Sequence, residues 1–506
     1  MSRRAVRRSR EARKAGGERP AYRQLRNPFA PIEVLSADQI EHIHLASLSI
    51  LEKTGIRIID TESRGILREG GFDVDEDSHQ VRLDRDGVLE LVSKAPSRVS
   101  VRGRNPAKRV MMGEGYVAFT AVGGPPFVSD LEGGRRPGNI ADLRDFIRLT
   151  QMLDIIHIEG GCSVEPTDLP VSTRHLDFYL ACCQLTDKPW KPLSIGVDHA
   201  RDALEMAKIL YGEDDSALAA DPVFFINTNT NTPLVLDGEI AQGVLTFARA
   251  GQPICVTPFA LAGAMAPVTM AGALALQNAE TLAACALVQL VRPGCPYVYG
   301  SFTCNVDMRT GSPAFGTPEY TLGAQASGQM ARRYNLPWRS SNVNTSNAPD
   351  AQAAYESQMS LWGAMTGHVS VLNQGAGWLE GGLVASFEKL LIDAEMLEMM
   401  AAWTKGLEVN SETIGLDAIA EVGPGGHFFG TKHTLERYEN AFYSPVLSDW
   451  SNFESWQERG SLDVTMRAHR AWKEMLTQYQ QPELDAAVNE ALEDYVKRRK
   501  EKLGKG

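Results

Sequence analysis

Apolar residues in the middle of this chain come in short runs separated by longer stretches in which they recur every three or four positions. Eight such runs stand out between residues 113 and 405: Val117 to Val122, Asp154 to Glu159, Pro192 to Val197, Val223 to Asn227, Pro253 to Val256, Tyr297 to Ser301, Pro337 to Ser341 and Val369 to Asn373. Helical patterns begin near Ile140, Ser172, His199, Asp237, Ala271, Pro318, Ala351 and Val384. Short apolar runs alternating with amphipathic helices predict a parallel sheet covered by helices. Eight alternating pairs predict a closed (β/α)8 TIM barrel over residues 113–405. An open doubly wound sheet is the rival, but it needs a glycine-rich phosphate loop after its first strand. Gly123-Gly124-Pro125-Pro126 is no such loop, because proline removes the N–H donors a phosphate requires.

Around the barrel the pattern changes. Ser36 and Gln39 form a capping box with Leu35 and Ile40 as its staple, opening a helix that Gly55 should end. Residues 31–112 then mix short strand-like pieces, such as Gln80 to Leu83 and Arg98 to Val101, with polar turns, and read as an N-terminal α/β accessory region. Residues 406–506 read as a loop followed by a charged helical extension.

Composition narrows the function classes. With 43% hydrophobic and 23% charged residues the chain is an ordinary globular one. Ten Lys/Arg against two Glu in the first 26 residues make residues 1–30 a basic tail, expected to lie on an acidic partner or a neighbouring subunit. The net charge of -12 leaves the remainder strongly acidic, which argues against nucleic acid as a partner. The most apolar stretch, Ile254 to Leu290, is broken by Gln277, Asn278 and Glu280, so no membrane span is expected. Seven scattered cysteines without a C-x-x-C pair read as reduced thiols of a cytoplasmic protein.

Active sites of such barrels form at the C-terminal ends of the strands. The residues there are amides, hydroxyls and aromatics: Glu159-Gly160-Gly161-Cys162, Asn227 to Asn231, Thr257-Pro258-Phe259, Tyr299 to Phe302, Trp338 to Asn342 and Asn373-Gln374-Gly375. No His/Cys/Asp cluster has metal spacing, so no metal is expected. No lysine falls where a Schiff base would form, since Lys191 precedes its run and Lys389 lies in a helix. Aromatic faces attract cations, and quaternary ammonium groups above all. Phe119, Phe259, Tyr299, Phe302 and Trp338 are therefore expected as a set to form a cage for a cationic substrate, the alternative for any one of them being that it fills the barrel interior or packs against the helices. Asn227, Asn229, Ser340 and Asn373 are expected as polar contacts, Asn227 and Asn229 alternatively serving only their loop. Glu159 is the expected charge partner of the cation, or else pairs with Arg148. The glycine-rich turn Gly423 to Phe429 is expected to fold over the mouth and bring His427 to the substrate; a surface turn is the alternative.

Several pieces in sequence resemble the trimethylamine methyltransferase family: Asp168-Leu169-Pro170, Thr186-Asp187-Lys188-Pro189, Leu336-Pro337-Trp338-Arg339, Asp350 to Glu356, and Gly423 to Phe429 with His433-Thr434. The likeness runs from about Leu35 to about Arg470. It implies a methyltransferase that moves a methyl group from an amine to the cobalt of a corrinoid carried by a separate protein, with no tightly bound cofactor of its own. The founding enzymes carry pyrrolysine at a strand end. This sequence has no such residue, and the equivalent place is expected between Arg339 and Pro349. Relatives lacking pyrrolysine include glycine betaine methyltransferases, so a quaternary amine of the betaine type is the expected substrate. Trimethylamine methyl transfer and non-catalytic binding of a quaternary amine are the alternatives. A corrinoid-binding Asp-x-His-x-x-Gly motif is absent from the sequence, which makes the carrier a partner protein. A homo-oligomer is expected.

Overall fold

The computed structural model describes residues 22–504. Most of the expected basic tail, residues 1–21, lies outside them. The last part of that segment is built into the fold: Leu25–Arg26 pairs antiparallel with Val117 and Tyr116, and Phe29 packs 4.5 Å from Trp403.

The protein is a mixed α/β structure around a curled, mainly parallel sheet. In spatial order the sheet runs Leu25–Arg26, Tyr116–Ala121, Val371–Ala376, Trp338–Ser341, Tyr297–Gly300, Ile254–Val256 and Ile226–Thr228. Single parallel bridges carry the pairing on from Phe224 to Trp190 and from Trp190 to Glu159, and another joins Ile158 to Thr120. The expected third strand is thus corrected: its one pairing residue is Trp190, and residues 192–195 are loop before the helix Gly196–Tyr211. Pro192 has no N–H to continue the ladder. Val384 also opens a short strand, Val384–Ser386, with the helix following at Phe387–Trp403. Five of the other expected helices begin within one residue of their places, capped by Asn139, Asp237, Thr269, Thr317 and Asp350 side chains that accept from the first free N–H groups. Arg174–Leu185 begins two residues late and Gly196–Tyr211 three residues early, neither with a side-chain cap.

The two faces of the sheet differ. Ala118, Ile158, Phe225, Cys255, Val298 and Val371 point inward and form a separate buried cluster with Val99, Val101, Val110 and Met112. Those last four belong to the antiparallel pair Val99–Val101 and Val110–Met112. Their neighbours Phe119, Tyr297, Tyr299, Trp338 and Leu372 belong instead to the main core. That core includes the helix Met270–Val291, which is long and apolar enough to cross a membrane but has 89% of its most apolar window buried in the structure. It behaves as a core helix, with Ala37–Ser49 and Arg85–Val92 of the N-terminal region packed on it. Ser36 and Gln39 make the expected reciprocal cap, at 3.3 and 2.8 Å.

In the C-terminal part, Val464–Gln478 packs on Phe387–Trp403, and Ala486–Leu503 packs on Gly196–Tyr211 and Arg174–Leu185. Between them, residues 407–460 hold only short helices and stay largely exposed.

Candidate active site

The sheet's C-terminal ends surround a cavity of about 640 Å³. Two of its strands are prolonged above the mouth. Phe259–Ala262 and Phe302–Val306 pair in parallel with Phe259 directly opposite Phe302, and this register puts the two rings 5.0 Å apart. Phe315 lies 6.1 Å from Phe259 and 5.4 Å from Phe302, while Trp378 lies 6.4 Å from Phe302 and 6.3 Å from Phe315. All four rings line the cavity. Trp378 is held by an indole N–H donated to the Asn344 carbonyl at 3.3 Å.

The opposite wall is polar. Asn227, Thr257, Asn373, Lys191 and Arg339 line it, with Asn229, Asp237 and Glu239 toward solvent. Lys191 is buried and donates from Nζ to Asn373 Oδ1, which also accepts from Thr120 Oγ1 at 2.9 Å. Burial, with Arg339 nearby, pushes the Lys191 ammonium down to about 7. Arg339 is buried too; its Nη1 donates to the Ser301 carbonyl at 3.0 Å and its guanidinium sits 5.3 Å from the Phe302 ring centre. Arg339 Nε, Ser341 Oγ, Asn342 Oδ1 and Asn344 Oδ1 are buried polar atoms without a hydrogen-bond partner among the described residues. Such atoms are uncommon, and here four of them fall between Arg339 and Asn344, in and just after one strand.

Of the residues expected from the sequence, Asn227, Asn229, Phe259, Phe302 and Asn373 meet at this cavity. The others lie elsewhere. Trp338 turns toward the helices, donating its indole N–H to Ser301 Oγ at 2.8 Å, and Ser340 shares its face. Tyr299 donates to Asn278 Oδ1 at 2.9 Å on the helix Met270–Val291. Phe119 is buried beside His157, with ring centres 5.7 Å apart. Glu159 is fully buried and does not line the cavity. Its carboxylate accepts from Gly161 N and Ser163 Oγ, both at 2.8 Å, so it braces the Gly160–Ser163 turn; Arg148 pairs with Asp145 instead. Burial raises the Glu159 carboxyl to about 7. His427 is exposed and the whole Gly423–Phe429 turn stands away from the cavity lining.

Lys191, Arg339, Phe315 and Trp378 also line the cavity and are not marked as candidates by the sequence pattern. Lys191 was hidden by placing the third strand two residues late. Phe315 and Trp378 sit in excursions beyond the strand ends, where no periodicity marks them. Arg339 stands in the mouth sequence beside Trp338, and only the phase of the strand separates the two. Among the described residues no group of three or more His, Cys, Asp or Glu is placed to hold a metal ion.

The family model for trimethylamine methyltransferase matches residues 2–504, and the chain belongs to that family. The resemblance read from the sequence motifs, with the methyltransferase class it implied, is borne out. Among similar proteins is the glycine betaine methyltransferase of Desulfitobacterium hafniense (strain Y51), 34% identical over 472 residues that cover 93% of this chain and 98% of that one. The trimethylamine methyltransferase MttB of Methanosarcina barkeri (strain Fusaro / DSM 804) is 29% identical over 475 residues, covering 90% and 93%. The solved structure of the Methanosarcina barkeri monomethylamine methyltransferase aligns over 88% of this chain and 93% of its own, with 11% identity and a TM-score of 0.44.

Proposed function

We propose that this protein takes a methyl group from a quaternary amine of the betaine type and delivers it to the cobalt of a corrinoid held by a separate protein. The observation that carries the reading is the set of four rings, Phe259, Phe302, Phe315 and Trp378, converging on one cavity at the strand ends. Such faces hold a quaternary ammonium at about 0.5–2 kcal/mol each. The 34% identity to a glycine betaine methyltransferase along nearly the whole chain supports the same reading.

The chemistry suits the residues present. A corrinoid supplies a nucleophile for the methyl carbon, and the chain's part is to orient the amine and shield it from water. A quaternary ammonium leaves as a neutral tertiary amine, so no proton has to be delivered to nitrogen. The buried Glu159 carboxyl, outside the cavity lining, is committed to Gly161 and Ser163. The alternation of strands and helices, with the bridges at Ile158, Glu159, Trp190 and Phe224, supports a closed (β/α)8 barrel as the scaffold.

We also propose that the chain assembles with further copies of itself. Leu407, Phe429 and Phe442 are 94%, 85% and 85% exposed, and the short helices of residues 407–446 bury almost nothing of their own. An exposed apolar surface of this kind fits a permanent interface better than a carrier that must come and go. Seven free, buried cysteines accord with the cytoplasm.

The test is methylation of a reduced corrinoid protein, followed by its absorption spectrum, with quaternary and tertiary amines as donors. Glycine betaine should methylate the corrinoid and trimethylamine should not. Equal rates with trimethylamine, or ligand binding without any methyl transfer, would overturn the reading.

A further inference from the structure

Two cations share this cavity with no carboxylate in direct contact. Lys191 and Arg339 line it, both buried, and neither has a carboxylate within 4.0 Å among the described residues. Lys191 spends one N–H on an amide oxygen, and Arg339 spends Nη1 on a backbone carbonyl while its Nε has no partner. The other lysines and arginine that are buried as whole residues are satisfied. Lys389 meets Asp393 and Ser357, Arg64 meets Glu76 and two carbonyls, and Lys188 donates to the Thr150 and Leu153 carbonyls at the end of a helix. A buried positive charge left unpaired is costly, and two in one cavity more so. The acids nearest in the same region do not answer them. Asp237 and Glu239 are toward solvent, and Glu159 is occupied by Gly161 and Ser163.

We infer that Lys191 and Arg339 are the seat of the substrate's carboxylate and the residues that set the enzyme's preference for zwitterionic over purely cationic amines. The inference rests on the proposed reaction and deepens it. Arg339 supplies the planar fork that matches a carboxylate, with Nε still free to donate. Lys191 supplies a point charge, positioned by Asn373, which Thr120 orients in turn. Because the guanidinium stands 5.3 Å from the Phe302 ring centre, the anionic seat adjoins the aromatic wall. A ligand whose ammonium and carboxylate are separated by one or two carbons reaches both. An amine that lacks the carboxylate meets two positive charges beside the rings and gains nothing to offset them, so the same pair works against choline or trimethylammonium.

A dependence on pH follows. The groups that set the state of Lys191 are burial and Arg339, which favour the neutral amine, opposed by Glu159 and Cys255. With the ammonium held near 7, the seat is charged below that pH and loses half its charge above it.

The experiment is titration calorimetry on the full chain without corrinoid, using glycine betaine, choline and acetate as probes. Lys191→Met and Arg339→Gln should each weaken glycine betaine about tenfold or more, the usual scale for a hydrogen bond to a charged group. Choline should bind these variants as well as or better than it binds the wild type. In the wild type, which needs no variant to fold, the preference for glycine betaine over choline should fall about tenfold from about pH 6.5 to about pH 8.5. Unchanged betaine affinity in both folded variants, or a preference that stays flat with pH, overturns the inference. If acetate binds in a Lys191-dependent manner while no quaternary amine binds, the anion seat stands and the proposed reaction falls.

Discussion

Trp338 and Arg339 are neighbours on one strand and face opposite worlds: the indole N–H reaches Ser301 Oγ at 2.8 Å on the helix side, while the guanidinium lines the cavity beside Phe302. Strand geometry alone decides this, because successive side chains leave on opposite faces. The consequence is a division between stability and binding that mutation can separate. Trp338→Ala should cost about 3–5 kcal/mol of stability, as for other buried aromatics, and leave ligand affinity in the surviving folded protein unchanged. Phe259→Leu keeps most of the apolar volume at a half-buried position and removes a π face, so it should weaken a quaternary amine by about 0.5–2 kcal/mol with little loss of stability. Thermal unfolding and calorimetric titration of both variants check the pair; the reverse pattern would put the indole at the substrate.

The same alternation explains how much of the site was legible in the sequence. Runs such as Tyr297 to Ser301 are apolar on both faces, because the strands are buried by helices outside and side chains inside. Such a run reveals that a strand exists and conceals which residues face inward. The strands are therefore legible in the sequence, whereas the helix-facing side on which Phe119, Tyr299, Trp338 and Ser340 lie is not. Phe259 and Phe302 escaped that ambiguity since they lie past the strand ends, in extensions paired to each other. Lys191 was lost through a shift of two residues at Pro192, and the burial that makes it chemically unusual comes from parts of the chain far away in sequence. The family motifs, by contrast, are local strings and were readable at once.

Glu159 offers a second separable quantity. Its carboxyl is raised from the usual value to about 7 by burial, so the folded protein binds this proton more tightly than the unfolded chain. The stabilising contribution of the protonated group is complete below the unfolded pKa and is lost as pH rises from there through about 7. Glu159→Gln keeps an oxygen to accept from Gly161 and removes the titration. Relative to wild type the variant should gain stability on going from about pH 4.5 to about pH 8, by on the order of 3 kcal/mol. Denaturant unfolding at the two pH values measures it, and methyl transfer should persist in the variant. A flat difference between the two proteins across that range would mean that the carboxyl titrates normally.

His427 stands on an exposed turn whose residues do not line the cavity. His427→Ala should therefore leave the affinity for glycine betaine and for choline within about twofold of wild type, since surface substitutions away from a site usually stay within about 0.5 kcal/mol. A selective loss for the carboxylated ligand would show that the turn closes over the mouth once substrate is bound, and would move part of the anion seat from Lys191 and Arg339 to the turn.

The exposed arm should declare itself in the assembly state. Phe429 and Phe442, each 85% exposed, lie on a segment whose helices of four, seven and six residues are too short to stand by themselves. If the arm is covered by a second copy, replacing both phenylalanines with serine removes apolar area from the interface and leaves the curled sheet and its cavity untouched. Sedimentation velocity should then show the wild type as a single oligomer and Phe429→Ser/Phe442→Ser dissociating to smaller species at micromolar concentration, while circular dichroism keeps the wild-type helical signal. A monomeric wild type would remove the second copy as the occupant. An oligomer insensitive to both substitutions would place the contact elsewhere on the chain and leave these rings as the exposed surface for the corrinoid carrier, whose methylation rate in the double variant would then fall.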